Sequence, residues 1–345
     1  MVSFFNKILV FFFFFFFMVF IALGNARIIS DFQFKKQKFN FPTVYVDQSG
    51  HGNFATIQSA IDSVPQNNQN WICIIIKAGQ YREQVKIPRE KPYIYLKGEE
   101  FGKIIVTWDA HDTIATDATF TTEADNTIVE SITFINSYNY PPKSNNNPRV
   151  VAVAAMISGD KSVFYNCKFL GLQDTLWDVE GRHYFKLCTI EGAVDFIFGN
   201  GQSIYEGCLI SVNADALDGS LGYITAQGRS NPNDKSGFVF KNCDVNGNGQ
   251  TFLGRPWRDY ARVIFYDCNM SSVTTPQGWD AGKFVGKEKQ LTFVEENCKG
   301  MGSNNSKRVP WKAKLSQQEL QQLTSLSFID DEGWITKQPL NKVLQ

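Results

Sequence analysis

Five short segments repeat one pattern around a cysteine, and this repeat constrains the fold more than any other feature: FYNCKF, FKLCTI, YEGCLI, FKNCDV and FYDCNM. Three residues before Cys167, Cys188, Cys208, Cys243 and Cys268 stand Phe164, Phe185, Tyr205, Phe240 and Phe265; two residues after them stand Phe169, Ile190, Ile210, Val245 and Met270. An earlier segment, Val129 to Phe134, fits the same template with Ile132 in the cysteine slot. The slot therefore asks for a small or medium apolar group. Successive cysteines are 21, 20, 35 and 25 residues apart, which suits a coil of fixed length carrying loop insertions. Such a repeat predicts an all-β parallel solenoid, in which equivalent strands of neighbouring coils pair and identical positions stack at about 4.8 Å. An elongated solenoid also accommodates a mature chain of roughly 320 residues, long for one compact domain.

Seven cysteines in a chain that reads as secreted admit two states. They are reduced core filler stacked from coil to coil, or some of them bridge adjacent coils, with Cys188 and Cys208 the preferred pair. No CxxC pair exists, and His51, His111 and His183 lie far apart, so neither a metal site nor a metal cofactor is expected. Lysine plus arginine equals aspartate plus glutamate at 34 each. The basic residues are dispersed, so nucleic acid is not an expected partner.

The amino terminus has the layout of a secretory signal: Lys7, then the apolar run Ile8 to Leu23, then small residues at Ala22, Gly24 and Ala26 that permit cleavage after Gly24 or Ala26. That run is 16 residues long, short of the roughly 20 that span a bilayer. Two sequons, Asn269-Met270-Ser271 and Asn304-Asn305-Ser306, accord weakly with secretion. The expected organisation is a signal peptide over 1–26, a short segment over 27–40, the β-helix over 41–337 and a C-terminal tail over 338–345. Within it, Ala55 to Asp62 has helical spacing, with Pro65 beyond it, and reads as a cap helix. Ser316 to Leu326 reads as a short helix in a closing region laid along the solenoid and anchored by Phe328 and Trp334. Tyr138 to Pro148, rich in proline and asparagine, reads as an exposed loop with nothing to bury.

Counting seven residues on from Cys167 and Cys188 reaches Asp174 and Asp195. If the intervening turns are equivalent, two carboxylates share one slot of successive coils, about 5 Å apart, close enough for repulsion to raise one pKa. Asp215, seven beyond Cys208, keeps a purely structural turn role open. A carboxylate pair so spaced also suits a retaining glycoside hydrolase.

The surroundings of these residues are more specific. Gly171-Leu172-Gln173-Asp174-Thr175-Leu176 and Gly192 to Gly199 (GAVDFIFG) closely resemble the two signature segments of the pectin methylesterase family. Gly79 to Glu83 (GQYRE) resembles that family's GxYxE, and Leu253 to Trp257 (LGRPW) its LGRPW. Ser158 to Cys167 is similar to a further segment common in plant members. The resemblance covers roughly residues 41 to 337 and argues against the glycosidase.

What the resemblance implies is a right-handed parallel β-helix that needs no cofactor, with pectin as substrate, the plant cell wall as location, protein inhibitors of these esterases as further partners, and a monomer as the default state. Only 27–40 separates the signal from the first family-like segment, so inhibition in cis by a long pro-region is not expected. By matching position, Asp195 is the nucleophile, Asp174 the acid that becomes a base, Gln173 an oxyanion donor, and Arg255 the cation that holds Asp195 ionised. Trp257 offers a face to a sugar ring, and Thr119 touches substrate. Tyr81 and Glu83 read as structural. One position departs from the family pattern: many members carry glutamine where this chain has Val151, and valine donates no hydrogen bond. Reduced turnover is the expectation, with a catalytically silent, wall-binding paralogue as the alternative.

Overall fold

The computed structural model describes residues 41–142 and 149–340. The expected signal peptide over 1–26, the segment 27–40, part of the Tyr138–Pro148 loop and the last residues of the 338–345 tail lie outside the described residues. What is described winds into a right-handed parallel β-helix. A ten-stranded, an eight-stranded and a seven-stranded sheet run along it, and among the described residues their strands pair in parallel.

Each coil visits the three sheets in turn. In one coil these are Ser162–Tyr165 in the ten-stranded sheet, Lys168–Leu170 in the eight-stranded sheet and Leu176–Asp178 in the seven-stranded sheet. The next coil repeats them as Arg182–Lys186, Thr189–Gly192 and Ile197–Gly199. The register of the sequence repeat is the register of the sheets: Phe164 pairs with Phe185, Phe185 with Tyr205, Tyr205 with Phe240 and Phe240 with Phe265. Their rings stack face to face inside the coil at 4.5 to 5.0 Å between centroids, within the range where offset aromatic pairs attract beyond their buried area.

Cys167, Cys188, Cys208, Cys243, Cys268 and Cys298 form a second ladder beside this one, Cys73 lies instead in strand Ile72–Ile76, and all seven are thiols. The Cys188–Cys208 bridge is absent. Instead each Sγ–H of the ladder points at a carbonyl of the preceding coil, Cys188 to Phe164 at 3.3 Å and Cys243 to Tyr205 at 3.2 Å. Burial pushes the thiols of Cys188, Cys208, Cys243 and Cys268 well above their ordinary pKa, which leaves no thiolate there to start disulfide chemistry. The residue before each slot turns the corner between two sheets in the left-handed region: Ser131, Asn166, Leu187, Gly207, Asn242, Asp267 and Asn297 have φ between 52° and 62°. Asparagine, aspartate and glycine suit that corner; Leu187 does not.

The N-terminal cap is helix α1, Ile57–Asp62, started by the Thr56 side chain. Glu83 explains the structural reading of the GQYRE segment: its carboxylate accepts from the N–H groups of Ile57 and Gln58 at 3.1 and 3.0 Å, closing the helix start. Tyr81 is fully buried, its hydroxyl donating to Lys77 O. At the other end Lys91 Nζ donates to the carbonyls of Ile61, Asp62 and Val64, satisfying acceptors that the last turn leaves open.

The closing region contains helix α2, Gln317–Thr324, begun by a capping box between Ser316 and Glu319. Phe328 and Trp334 are buried as anchors. The tail is tied to the ten-stranded sheet by Arg182–Glu332 and by Gln338 Nε2 donating to Lys161 O. The described residues of this region therefore pack on that face. The Tyr138–Pro148 loop departs from expectation at its start, where Asn139 is buried and donates to Val150 O at 3.0 Å, and Tyr138 stacks on His111.

Candidate active site

Asp174 and Asp195 occupy the same corner of successive coils, between the eight- and seven-stranded sheets. The register fixes this: Gln173 bridges Val194, and Leu176 pairs with Ile197, so Asp174 faces Asp195 across one rung, about 5 Å of rise. Both aspartates are left-handed, at φ 57° and 46°, a conformation aspartate tolerates better than most residues. The corner conformation and the outward carboxylate therefore come together. Asp215 breaks the series. It lies exposed in a short 3₁₀ turn, Ala214–Leu217, so the carboxylate stack stops at two.

Arg255 enters from strand Thr251–Pro256, two coils further on. Along its line in the seven-stranded sheet follow Ala226, Phe198 and Trp177. The small Ala226 leaves Arg255 room to lean toward the corner, where its Nε and Nη2 donate to Asp195 Oδ1 and Oδ2 at 2.9 and 2.5 Å. This is the bidentate fork that lysine cannot reproduce.

Electrostatics separate the two carboxyls. Burial raises Asp174, the charge of Asp195 raises it further, and Arg255 and a hydrogen bond from Gln173 only partly oppose this, leaving it at about 7. Burial also raises Asp195, but the hydrogen bond and charge of Arg255 pull it back. Near neutrality the corner can thus hold a protonated acid beside an ionised, oriented carboxylate.

A strip of aromatic rings adjoins it. Trp177 stacks on Phe198 at 5.4 Å, and Phe198 meets the edge of Trp257 at 6.0 Å. Trp257 keeps 37% of its surface exposed. Gly228 lies beneath it, where an added Cβ would come within 3.0 Å of the indole.

The fold and this corner can be set beside known proteins. A family model for pectinesterase matches residues 43–332. The chain belongs to the pectinesterase family. It is 59% identical over 300 residues to probable pectinesterase 29 of Arabidopsis thaliana, covering 86% of this chain and 90% of that one. It superimposes on pectin methylesterase from carrot with a TM-score of 0.79 at 30% identity, over 88% of this chain and 97% of that one. A mutant pectin methylesterase solved in complex with a hexasaccharide gives a TM-score of 0.71 at 26% identity, over 84% of this chain and 96% of that one.

Of the residues singled out for a pectinesterase site, Asp174, Asp195, Gln173, Arg255 and Trp257 come together at this corner. Val151 lies beside it as an aliphatic surface, packed on Ala118, Val153, Phe198 and Ala226, while its neighbour Ala152 donates its N–H to Gln173 O at 3.2 Å. Thr119 does not present its hydroxyl. It is fully buried and donates to Ile135 O at 3.0 Å, which spends its one donor inside the coil. Sequence reasoning passed over Trp177 and Phe198, although both stand in or beside the quoted aspartate motifs, and over Tyr223 and Asp280, which no motif marks. Among the described residues no three His, Cys, Asp or Glu side chains gather as a metal site.

Proposed function

We propose that this pectinesterase hydrolyses the methyl esters of homogalacturonan with Asp195 as nucleophile and Asp174 as acid and base. The observation that carries the reading is the asymmetric pair, one carboxylate gripped by the Arg255 fork and the other kept protonated near pH 7 by burial and its neighbour. Asp195 attacks the ester carbonyl, and the C–O bond to methoxide breaks as Asp174 delivers its proton, releasing methanol. The ionised Asp174 then takes a proton from water, whose oxygen attacks the acyl–Asp195 carbonyl. Pectate leaves, and both carboxyls return to their starting states. The side-chain N–H of Gln173 stabilises the tetrahedral oxyanion, and the strip of Trp177, Phe198 and Trp257 supports sugar rings.

Val151 supplies no second donor, so turnover is reduced; the same observation favours, as the second reading, a silent paralogue that holds polyuronate in the cell wall. Secretion through the 1–26 signal fits both readings, as does glycosylation at Asn269 and Asn304, both exposed. The polymer is the partner. Protein inhibitors of these esterases and a monomeric state complete the proposal.

Methanol release from highly methylated pectin, abolished in Asp195→Ala, supports the esterase. No methanol from a folded protein that still retains pectin assigns it to the silent reading. New reducing ends refute both.

A further inference from the structure

Arg255 starts two coils away from the aspartate it grips, and Tyr223 occupies the coil between. The register places Tyr223 opposite Phe252 on one side, and its N–H donates to Ala193 O at 2.9 Å on the other. Its ring stacks on Phe252 at 5.4 Å and 19°, and the guanidinium of Arg255 lies 4.3 Å from its centroid. The phenol donates to Asp280 Oδ2 at 2.9 Å. Asp280 is itself fixed, its Oδ1 accepting from Gly282 N–H and its own N–H donating to Gly254 O.

We infer that Tyr223, pinned by Asp280, is a positioning residue for the reaction: its ring is the platform that holds the Arg255 fork against Asp195. The inference rests on the reading of Asp195 as nucleophile. Two features of the geometry carry it. The Arg255 side chain is 38% exposed, and its neighbour Ala226 offers no lateral support, so without the ring the long side chain has open groove to swing into. The hydroxyl also occupies Asp280. A carboxylate left free at that point would compete with Asp195 for the same guanidinium, and the phenol stands between them as a spacer.

The test is kcat and KM for methanol release across pH in the wild type, Tyr223→Leu and Tyr223→Phe. Losing a cation–π platform at a partly desolvated site lowers kcat about tenfold in Tyr223→Leu, with KM held within about twofold. Of the groups facing Asp195, namely Asp174, Arg255 and Tyr223, only Arg255 is a cation. Loosening it lets burial act unopposed, and the acidic limb of kcat/KM moves to higher pH by up to about one unit. Tyr223→Phe keeps the platform but frees Asp280. It shows a smaller shift in the same direction, which Asp280→Asn in the same chain reverses.

An unchanged limb in both variants overturns the inference, including when kcat falls, because bulk packing loss would not move it. If Tyr223→Leu does not fold, the Phe variant and its reversal decide. If the wild type releases no methanol, the esterase reading fails separately, and the carboxyl titration of Asp195 by NMR decides the positioning role: an equal pKa in wild type, Tyr223→Leu and Tyr223→Phe overturns it.

Discussion

Asp174→Asn should make the protein more stable and inactive at the same time. In the fold Asp174 titrates at about 7 instead of 3.8. Between those values the folded chain binds a proton that the unfolded chain has released. Stability therefore falls as pH rises through this window and is lowest above pH 7. About three units at 1.36 kcal/mol each set an upper bound near 4 kcal/mol, and the opening of the corner to solvent brings the expected figure to about 2–4 kcal/mol. Asparagine is nearly isosteric, tolerates φ 57° and carries no charge to bury or to repel Asp195. Urea unfolding followed by tryptophan fluorescence should show Asp174→Asn more stable than wild type by that amount at pH 8, with the gap closing toward pH 4. Methanol release should fall by at least about 10²-fold at every pH. A gap that is constant from pH 4 to 8, or a wild type more stable than the variant at pH 8, refutes the reasoning.

Val151→Gln should raise kcat by about 10- to 100-fold if the missing oxyanion donor limits turnover; steady-state methanol release that stays at the wild-type level removes that explanation. Leu187 sits at φ 55° with half its side chain in solvent, so Leu187→Asn should stabilise by about 1 kcal/mol in urea unfolding, and a loss of stability would show that the leucine packs usefully. Arg308 and Glu295 are each 2% exposed and paired at 2.6 Å near the C-terminal end of the coils. Arg308→Met strands that carboxylate with only the Trp279 N–H and should cost about 3–5 kcal/mol; a change below about 1 kcal/mol in the same assay contradicts a stabilising role for the pair.

The repeat was legible because a parallel coil stacks identical positions. The aromatic ladder, the cysteine ladder and the carboxylate pair then follow from spacing alone, as Phe164–Phe185 and Asp174–Asp195 show. The caps were half legible: the spacing of Ala55 to Asp62 announced a helix, but not that Glu83 closes its start and Lys91 its end. The state of the cysteines was open in the sequence, since in-register thiols suit both a bridge and a ladder. The fold decides it by pointing each Sγ–H at a carbonyl of the previous coil. The family resemblance gave Thr119 a substrate contact, but position in a motif does not say which face of a corner is inside, and here the hydroxyl is spent on Ile135 O.

What the sequence determined by itself is the coil, its register and the pair of aspartates, all of which depend on local periodicity. What only the tertiary structure decided is the chemistry around them. The resemblance named Arg255 as the partner of Asp195, but the two-pronged grip across 60 residues, the packing of Tyr223 and Asp280 behind it and the burial that raises Asp174 were not in the sequence. Each of these depends on which coils lie side by side and how much water the corner excludes, and a one-dimensional pattern carries neither.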